Sequence, residues 1–118
     1  MNTKTELGKL GEQLAAEFLA ESDLQILDRN WRCPEGEIDI VALERGVLVI
    51  CEVKTRSDNR YGTPLEAISA RKRARLRKLA VRWVTARGVY YERIRIDIVG
   101  ILRTGPDEYD IEHVRGVG

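Results

Sequence analysis

The sequence predicts an α/β fold, and three observations carry that expectation. Leu7, Leu10, Leu14 and Phe18 recur at helical spacing near the start of the chain. Two strand-like segments, residues 36–42 and 47–55, flank the turn pair Arg45-Gly46. Further on, Ile68, Leu76, Leu79 and Trp83 share one face of a second long helix whose other residues are largely basic. A length of 118 residues suits one hydrophobic core, so a single domain spanning residues 1–118 is expected.

The elements follow in order. Residues 4–21 form the first helix, with Gly11 and Ala15 as small packing positions. Glu12 lies on its flank, in line with Gly8, Ala15 and Leu19. Its spacing fits either a carboxylate aimed at the sheet or an ordinary helix-surface glutamate. Residues 24–32, carrying Ile26, Leu27 and Trp31, read as a strand whose imperfect apolar pattern suits an edge. Cys33-Pro34-Glu35-Gly36 is a turn. After the 36–55 hairpin, residues 56–62 are polar and read as a loop, where Arg56, Arg60 and Tyr61 stand as phosphate- or base-contacting candidates against a plainly solvated alternative.

The second helix starts either at the capping box Thr63-Pro64-Leu65-Glu66 or at Ser69, and Gly88 stops it after Arg87. Residues 92–102 alternate as a strand, with Ile94, Ile96 and Ile98 on one face and Arg93, Arg95 and Asp97 on the other. Pro106 marks a turn, residues 108–114 form a last edge strand, and residues 115–118 read as a frayed tail. His113, the single histidine, is expected at the surface, and one histidine excludes a histidine-rich metal site.

Chemistry concentrates in the hairpin. In residues 36–42, Glu37, Asp39 and Val41 point one way and Ile38, Ile40 and Ala42 the other. With Arg45-Gly46 as a two-residue turn, Glu44 pairs with Val47, Asp39 with Glu52, and Glu37 with Lys54. Directly opposed side chains have Cβ atoms roughly 5 Å apart. Two carboxylates that close repel unless one is protonated or a cation lies between them. Mg²⁺ suits this arrangement, because it prefers oxygen ligands, commonly takes one or two carboxylates, and keeps several waters. Lys54 then stands where an amine would assist a metal-bound water or a phosphate oxygen. The plain alternative is a surface Glu37–Lys54 salt bridge beside solvated Asp39 and Glu52. The apolar run Val47-Leu48-Val49-Ile50 argues against it, because it implies a covered sheet.

Asp39, followed by Glu52-Val53-Lys54 on the next strand, resembles the PD-(D/E)xK signature of restriction-endonuclease-like nucleases. More narrowly, Gly11-Glu12, the stretch Gly36-Glu37-Ile38-Asp39-Ile40-Val41-Ala42, and Glu52-Val53-Lys54-Thr55-Arg56 resemble the YraN family of bacterial proteins, which is similar in fold to archaeal Holliday-junction resolvases. The resemblance spans residues 7–100. It implies a restriction-endonuclease-like αβββαβ core, a mixed central sheet flanked by helices, and metal-dependent cleavage of nucleic acid. It puts metal carboxylates at Asp39 and Glu52, a catalytic lysine at Lys54, and a further acidic residue at Glu12. Ile38 replaces the proline of the signature. Resolvase-like relatives act in pairs, which makes a homodimer an expectation.

Charge distribution supplies the rest. The net charge of +1 gives no global pull toward polyanions, so any attraction must be local. Between Glu66 and Glu92 there is no acidic residue, and Arg71, Arg75, Lys78 and Arg82 form an outer stripe at helical spacing suited to a phosphate backbone. Lys72 falls on the inward face, where its ammonium must reach a cleft, and it reads as an auxiliary phosphate-binding residue. Cys33 and Cys51 are too few and too far apart for a zinc site and fit a reduced, cytoplasmic protein. Residues 1–6 are polar, no signal peptide is expected, and no apolar stretch is long enough to cross a membrane. The expectation is an Mg²⁺- or Mn²⁺-dependent endonuclease acting on DNA, branched DNA included. The alternative is a nucleic-acid-binding module that keeps the fold with little or no turnover.

Overall fold

The computed structural model describes residues 4–57 and 68–117. Its elements are α1 (Lys4–Glu21), β1 (Gln25–Cys33), β2 (Gly36–Glu44), β3 (Val47–Arg56), α2 (Ala70–Arg87), β4 (Ile94–Gly105) and β5 (Glu108–Val114). The strands form one sheet in the order β1-β2-β3-β4-β5, antiparallel except for the parallel β3–β4 pair. This is the expected αβββαβ core on a mixed sheet, with β5 added beside β4 at one edge.

Side-chain alternation along the strands divides the core in two. Val41, Leu48, Ile50, Ile96 and Ile98 pack against Leu76, Leu79, Ala80 and Trp83 of α2. Ile40, Ala42, Val49, Cys51, Val99 and Ile101 pack against Ala15, Ala16 and Leu19 of α1. The helices therefore cover opposite faces, and β3 is buried between them, as its continuous apolar run requires. At one point α1 comes especially close, because a Cβ at Gly11 would collide with the Thr55 side chain. Glycine thus sets the height of α1 over β3 and carries the neighbouring Glu12 down to the sheet.

The β2–β3 turn has the predicted length, and both Arg45 (φ 50°) and Gly46 (φ 83°) are left-handed, as a type I′ hairpin turn demands. Glu44 opposes Val47, as expected, and the pairing continues to Ile40 opposite Cys51. α2 starts at the second of its two candidate sites. Ser69 caps it by accepting from the Lys72 N–H at 3.1 Å, and left-handed Gly88 closes it. The capping box Thr63–Glu66, with Arg60 and Tyr61, lies outside the described residues.

Three expectations need correction. Strict alternation fails in β2, where Ile38 joins the α2-side core together with Val41, although Ile40 between them faces α1. His113 is not a surface residue. Its side chain is 4% exposed and meets the fully buried Asp97 at 2.7 Å. Nor is the whole tail frayed: Gly116 N–H donates to Asp97, Val117 N–H to the Ile96 carbonyl, and Arg73 to the Val117 carbonyl. Asp97, placed by β4 alternation beside Arg95, collects these donors and so fixes residues 115–117.

Candidate functional site

The site forms where β2 and β3 part. Their paired register ends at Ile40–Cys51, and beyond it the Val53 N–H donates to the Asp39 carboxylate at 2.8 Å. The partner strand is distorted at the same level. Asn30 has φ 52°, and the β1–β2 pairing passes from Arg29–Ile40 to Trp31–Ile38 without joining Asn30 to Asp39. Asp28 reaches α2, where it accepts from Trp83 and Arg87, and Trp31 packs on the α2 side. Arg29 reaches α1 through Gln13. Arg29 and Trp31 thus face opposite sides although they are two apart, as do Ile38 and Ile40, so both strands change parity at the Asn30/Asp39 level.

The result is a cleft of about 320 Å³, lined by Glu12, Gly36, Glu37, Asp39, Glu52, Val53, Lys72, Arg75 and Leu79. At roughly 30 Å³ per water it holds several waters, enough for a hydrated ion beside a phosphate. Carboxylate oxygens of Glu12, Glu37 and Asp39 lie within 4.8 Å of one another. Glu52 lines the same cleft beside Asp39. Burial, with the nearby Glu52 charge second, pushes the Asp39 carboxyl up to about 8 against the Val53 hydrogen bond. Burial, then Glu37, raises Glu12 as well, opposed by Arg29 and Asn30. Crowded oxygen donors of this kind could hold a hard divalent cation.

The cations lie on one wall. Lys72 contacts Glu52 at 2.9 Å, so its ammonium reaches the cleft as its inward position requires. Arg75, assigned to the outer stripe, also lines the cleft and passes close to Gly36. Arg71 and Lys78 are exposed on α2, while Arg82 reaches Glu35 at 3.3 Å. Arg56 ends β3 and is partly covered. Lys54 is exposed and outside the lining residues. Glu12, Asp39 and Glu52 are thus brought together, and Lys54 is not brought to them. Glu37, expected opposite Lys54, instead pairs with Arg32 at 2.9 Å and joins the acidic group.

Sequence reasoning passed over Asn30 and the role of Glu37. An asparagine closing the polar run Asp28-Arg29-Asn30 inside a strand was the available signal, because asparagine tolerates left-handed backbone better than most residues. Among the described residues, no helix is long and apolar enough to cross a membrane.

A mixed sheet between two helices, with carboxylates gathered where β2 and β3 separate, is the architecture of the PD-(D/E)xK-like nuclease fold. Residues 11–101 match the family described as "Uncharacterised protein family UPF0102", and the chain belongs to that family, also called YraN. A UPF0102 protein of Nocardioides sp. (strain JS614) is 55% identical over 115 residues, covering 98% of this chain and 93% of the relative. One from Renibacterium salmoninarum is 53% identical over 118 residues, covering both chains fully. One from Paenarthrobacter aurescens is 49% identical over 117 residues, covering 99% and 97%.

Proposed function

We propose that this protein is a nucleic-acid-binding module of nuclease fold, which lays a DNA backbone along α2 and over a cation-holding acidic cleft, with little or no turnover. The observation that carries this reading is the Lys72–Glu52 contact at 2.9 Å, together with Lys54 standing outside the cleft. A carboxylate and the nearest ammonium are engaged with each other, while the basic face of α2 stays open to phosphate. Arg71, Arg75 and Lys78 supply phosphate contacts along the helix, and Lys72 and Arg56 supply them nearer the sheet.

Binding should be measured on duplex, single-stranded, flap and four-way-junction DNA, and on RNA, across a salt series. Affinity should fall steeply with salt. Arg75→Glu or Lys78→Glu should weaken binding on every sequence and reduce the salt slope by about one per lost phosphate contact. Absence of binding at low salt on all substrates would refute the module.

A second reading, metal-dependent phosphodiester hydrolysis, is favoured by one observation, the convergence of Glu12, Glu37 and Asp39 within 4.8 Å. In that reading Asp39, Glu12 and Glu37 hold Mg²⁺ or Mn²⁺, with Glu52 beside them. The ion supplies Lewis acidity and an activated water. Lys72 and Arg75 hold the phosphate, and Lys54 takes the catalytic lysine's part once brought to the cleft. The same substrate panel with added Mg²⁺ or Mn²⁺ decides between the readings. Nicking that vanishes in Asp39→Ala and Glu52→Ala would establish the enzyme, and intact substrates would leave the module.

A further inference from the structure

We propose that Lys72 is an exchangeable counter-ion of the cleft: it neutralises Glu52 in the free protein, yields that place to a divalent cation, and turns to the phosphate that arrives with it. Cation and DNA backbone therefore bind cooperatively through this one side chain. The inference rests on the reading of the cleft as a cation site beneath a DNA backbone, and it names how that site is regulated.

The contact is built for exchange rather than for permanence. Glu52 is fixed in the sheet with its side chain only 9% exposed, whereas Lys72, 2.9 Å away on α2, is 38% exposed. A lysine carries a compact charge on a flexible four-carbon stem, so the ammonium can swing out while the carboxylate stays. It does not leave unaided, because stripping so buried a carboxylate of its cation is costly. Only a replacement cation releases it. Position favours that release. Lys72 lies in the first turn of α2, where the positive end of the helix dipole opposes an ammonium and attracts a phosphate, and that turn holds no acidic residue. The balance of charge explains why the two ligands need each other. Glu12, Glu37, Asp39 and Glu52 line the cleft against Lys72 and Arg75, so a phosphate alone meets an excess of carboxyl groups, with Lys72 already engaged. A divalent ion alone must compete with Lys72 for Glu52. Together they satisfy both sides, since the ion takes the carboxylates and the freed ammonium joins Arg75 on the phosphate. By linkage, each ligand then tightens the other.

The bland alternative is a structural ion pair that stays closed whatever binds. The full chain should be titrated with Mn²⁺ by calorimetry as wild type, Lys72→Met and Arg75→Met. The same three proteins should be titrated with a labelled phosphorothioate DNA duplex, chosen to resist cutting, with and without Mn²⁺. Thermal melts confirm folding, and Lys72→Gln, which keeps a donor toward Glu52, takes over if the methionine variant does not fold. Lys72→Met is expected to bind Mn²⁺ about fivefold or more tightly than wild type, because the competitor is gone, and Arg75→Met to change this affinity less. Mn²⁺ should tighten duplex binding by about fivefold or more in wild type and in Arg75→Met, and by distinctly less in Lys72→Met. Three results would overturn the proposal while leaving the DNA-binding module standing: Mn²⁺ affinity unchanged in Lys72→Met, Mn²⁺ affinity raised equally in Arg75→Met, or an Mn²⁺ effect on duplex binding that is the same with and without Lys72. A wild type that binds no duplex at low salt would remove the module as well, and its metal-free titration alone identifies that outcome.

Discussion

Two groups of carboxylates on the sheet are held in opposite ways. At the cleft, Asp39 and Glu12 are both shifted upward, because burial and neighbouring acids outweigh what the protein offers them. Around Arg95 of β4, Asp97 and Glu44 are both shifted downward. For Asp97, burial is overcome by hydrogen bonds from His113, Arg95 and Gly116. For Glu44, hydrogen bonds from Arg115 and Arg95 outweigh its burial. Arg95 meets Asp97 at 2.8 Å and Glu44 at 2.7 Å, and Arg115 adds a second guanidinium at 3.3 Å. The Asp97 group is internally neutralised and serves the fold, whereas Asp39 and Glu12 lack comparable cationic partners.

The most severe way to break this comparison is Asp97→Ala, which leaves Arg95 with Glu44 alone and removes the partner of the buried His113 and of the Gly116 N–H. A loss of about 3–5 kcal/mol is expected, as for other broken buried pairs, and urea denaturation would measure it. Metal binding at the cleft should survive in the folded fraction.

Asp39→Asn should do the reverse. Burial pushes the native Asp39 carboxyl up to about 8, above its ordinary 3.8, so the folded state keeps a proton that the unfolded state releases. Its contribution is fully present below pH 4 and is lost as pH rises through about 8. Metal-free wild type should therefore lose stability relative to Asp39→Asn across that range, by at most about 1.4 kcal/mol per pH unit. Thermal melts at pH 5, 7 and 9 test this, and parallel curves would contradict it. The downward-shifted Asp97 and Glu44 have the opposite sign. Their contribution is present above the ordinary carboxylate range and disappears on acidification through their lower native values.

Gly11→Ala sharpens the comparison from a third direction, since the added methyl meets Thr55 and lifts α1 from β3. Overpacking of this kind costs roughly 1–3 kcal/mol. It should also weaken Mn²⁺ binding by displacing Glu12, and Thr55→Ala should restore part of both losses. The smallest effect belongs to the exposed Arg82–Glu35 pair at 3.3 Å. Arg82→Ala should change stability by less than about 1 kcal/mol in a denaturation titration.

Much of this architecture is legible in the sequence, because the signals are local. Helical spacing in α1 and α2, the Arg45-Gly46 turn and the apolar run of β3 each act within a few residues, and together they fix element order and the Glu44–Val47 register. Approach of Asp39 to Glu52 follows from that register. What escapes is where regular geometry fails or where distant segments meet. Alternation fails in β1 first at the Ile26/Asp28 register shift and again at left-handed Asn30, where β2 changes parity too, and no periodic pattern anticipates either irregularity. Glu37 consequently arrives in the acidic cluster rather than opposite Lys54. His113 looks like a lone surface histidine because its partner, Asp97, belongs to another strand. The hint lay in Arg95 and Asp97, opposite charges two apart on one face, which need a third group only tertiary structure can supply.

The parallel β3–β4 seam has a consequence for how the chain assembles. β1, β2 and β3 form a meander of near neighbours, whereas Leu48 must find Ile94, 46 positions away, with α2 in the intervening segment. Closing a large loop is slow relative to zipping a hairpin. The meander should consequently gain protection against amide exchange early in refolding, and the Leu48–Ile94 seam late. Pulse-labelling that finds β4 protected before β2 would exclude that order. Cleft carboxylates from β2 and β3 would then crowd together before Lys72 reaches them, which makes refolding rate sensitive to divalent ions present from the outset.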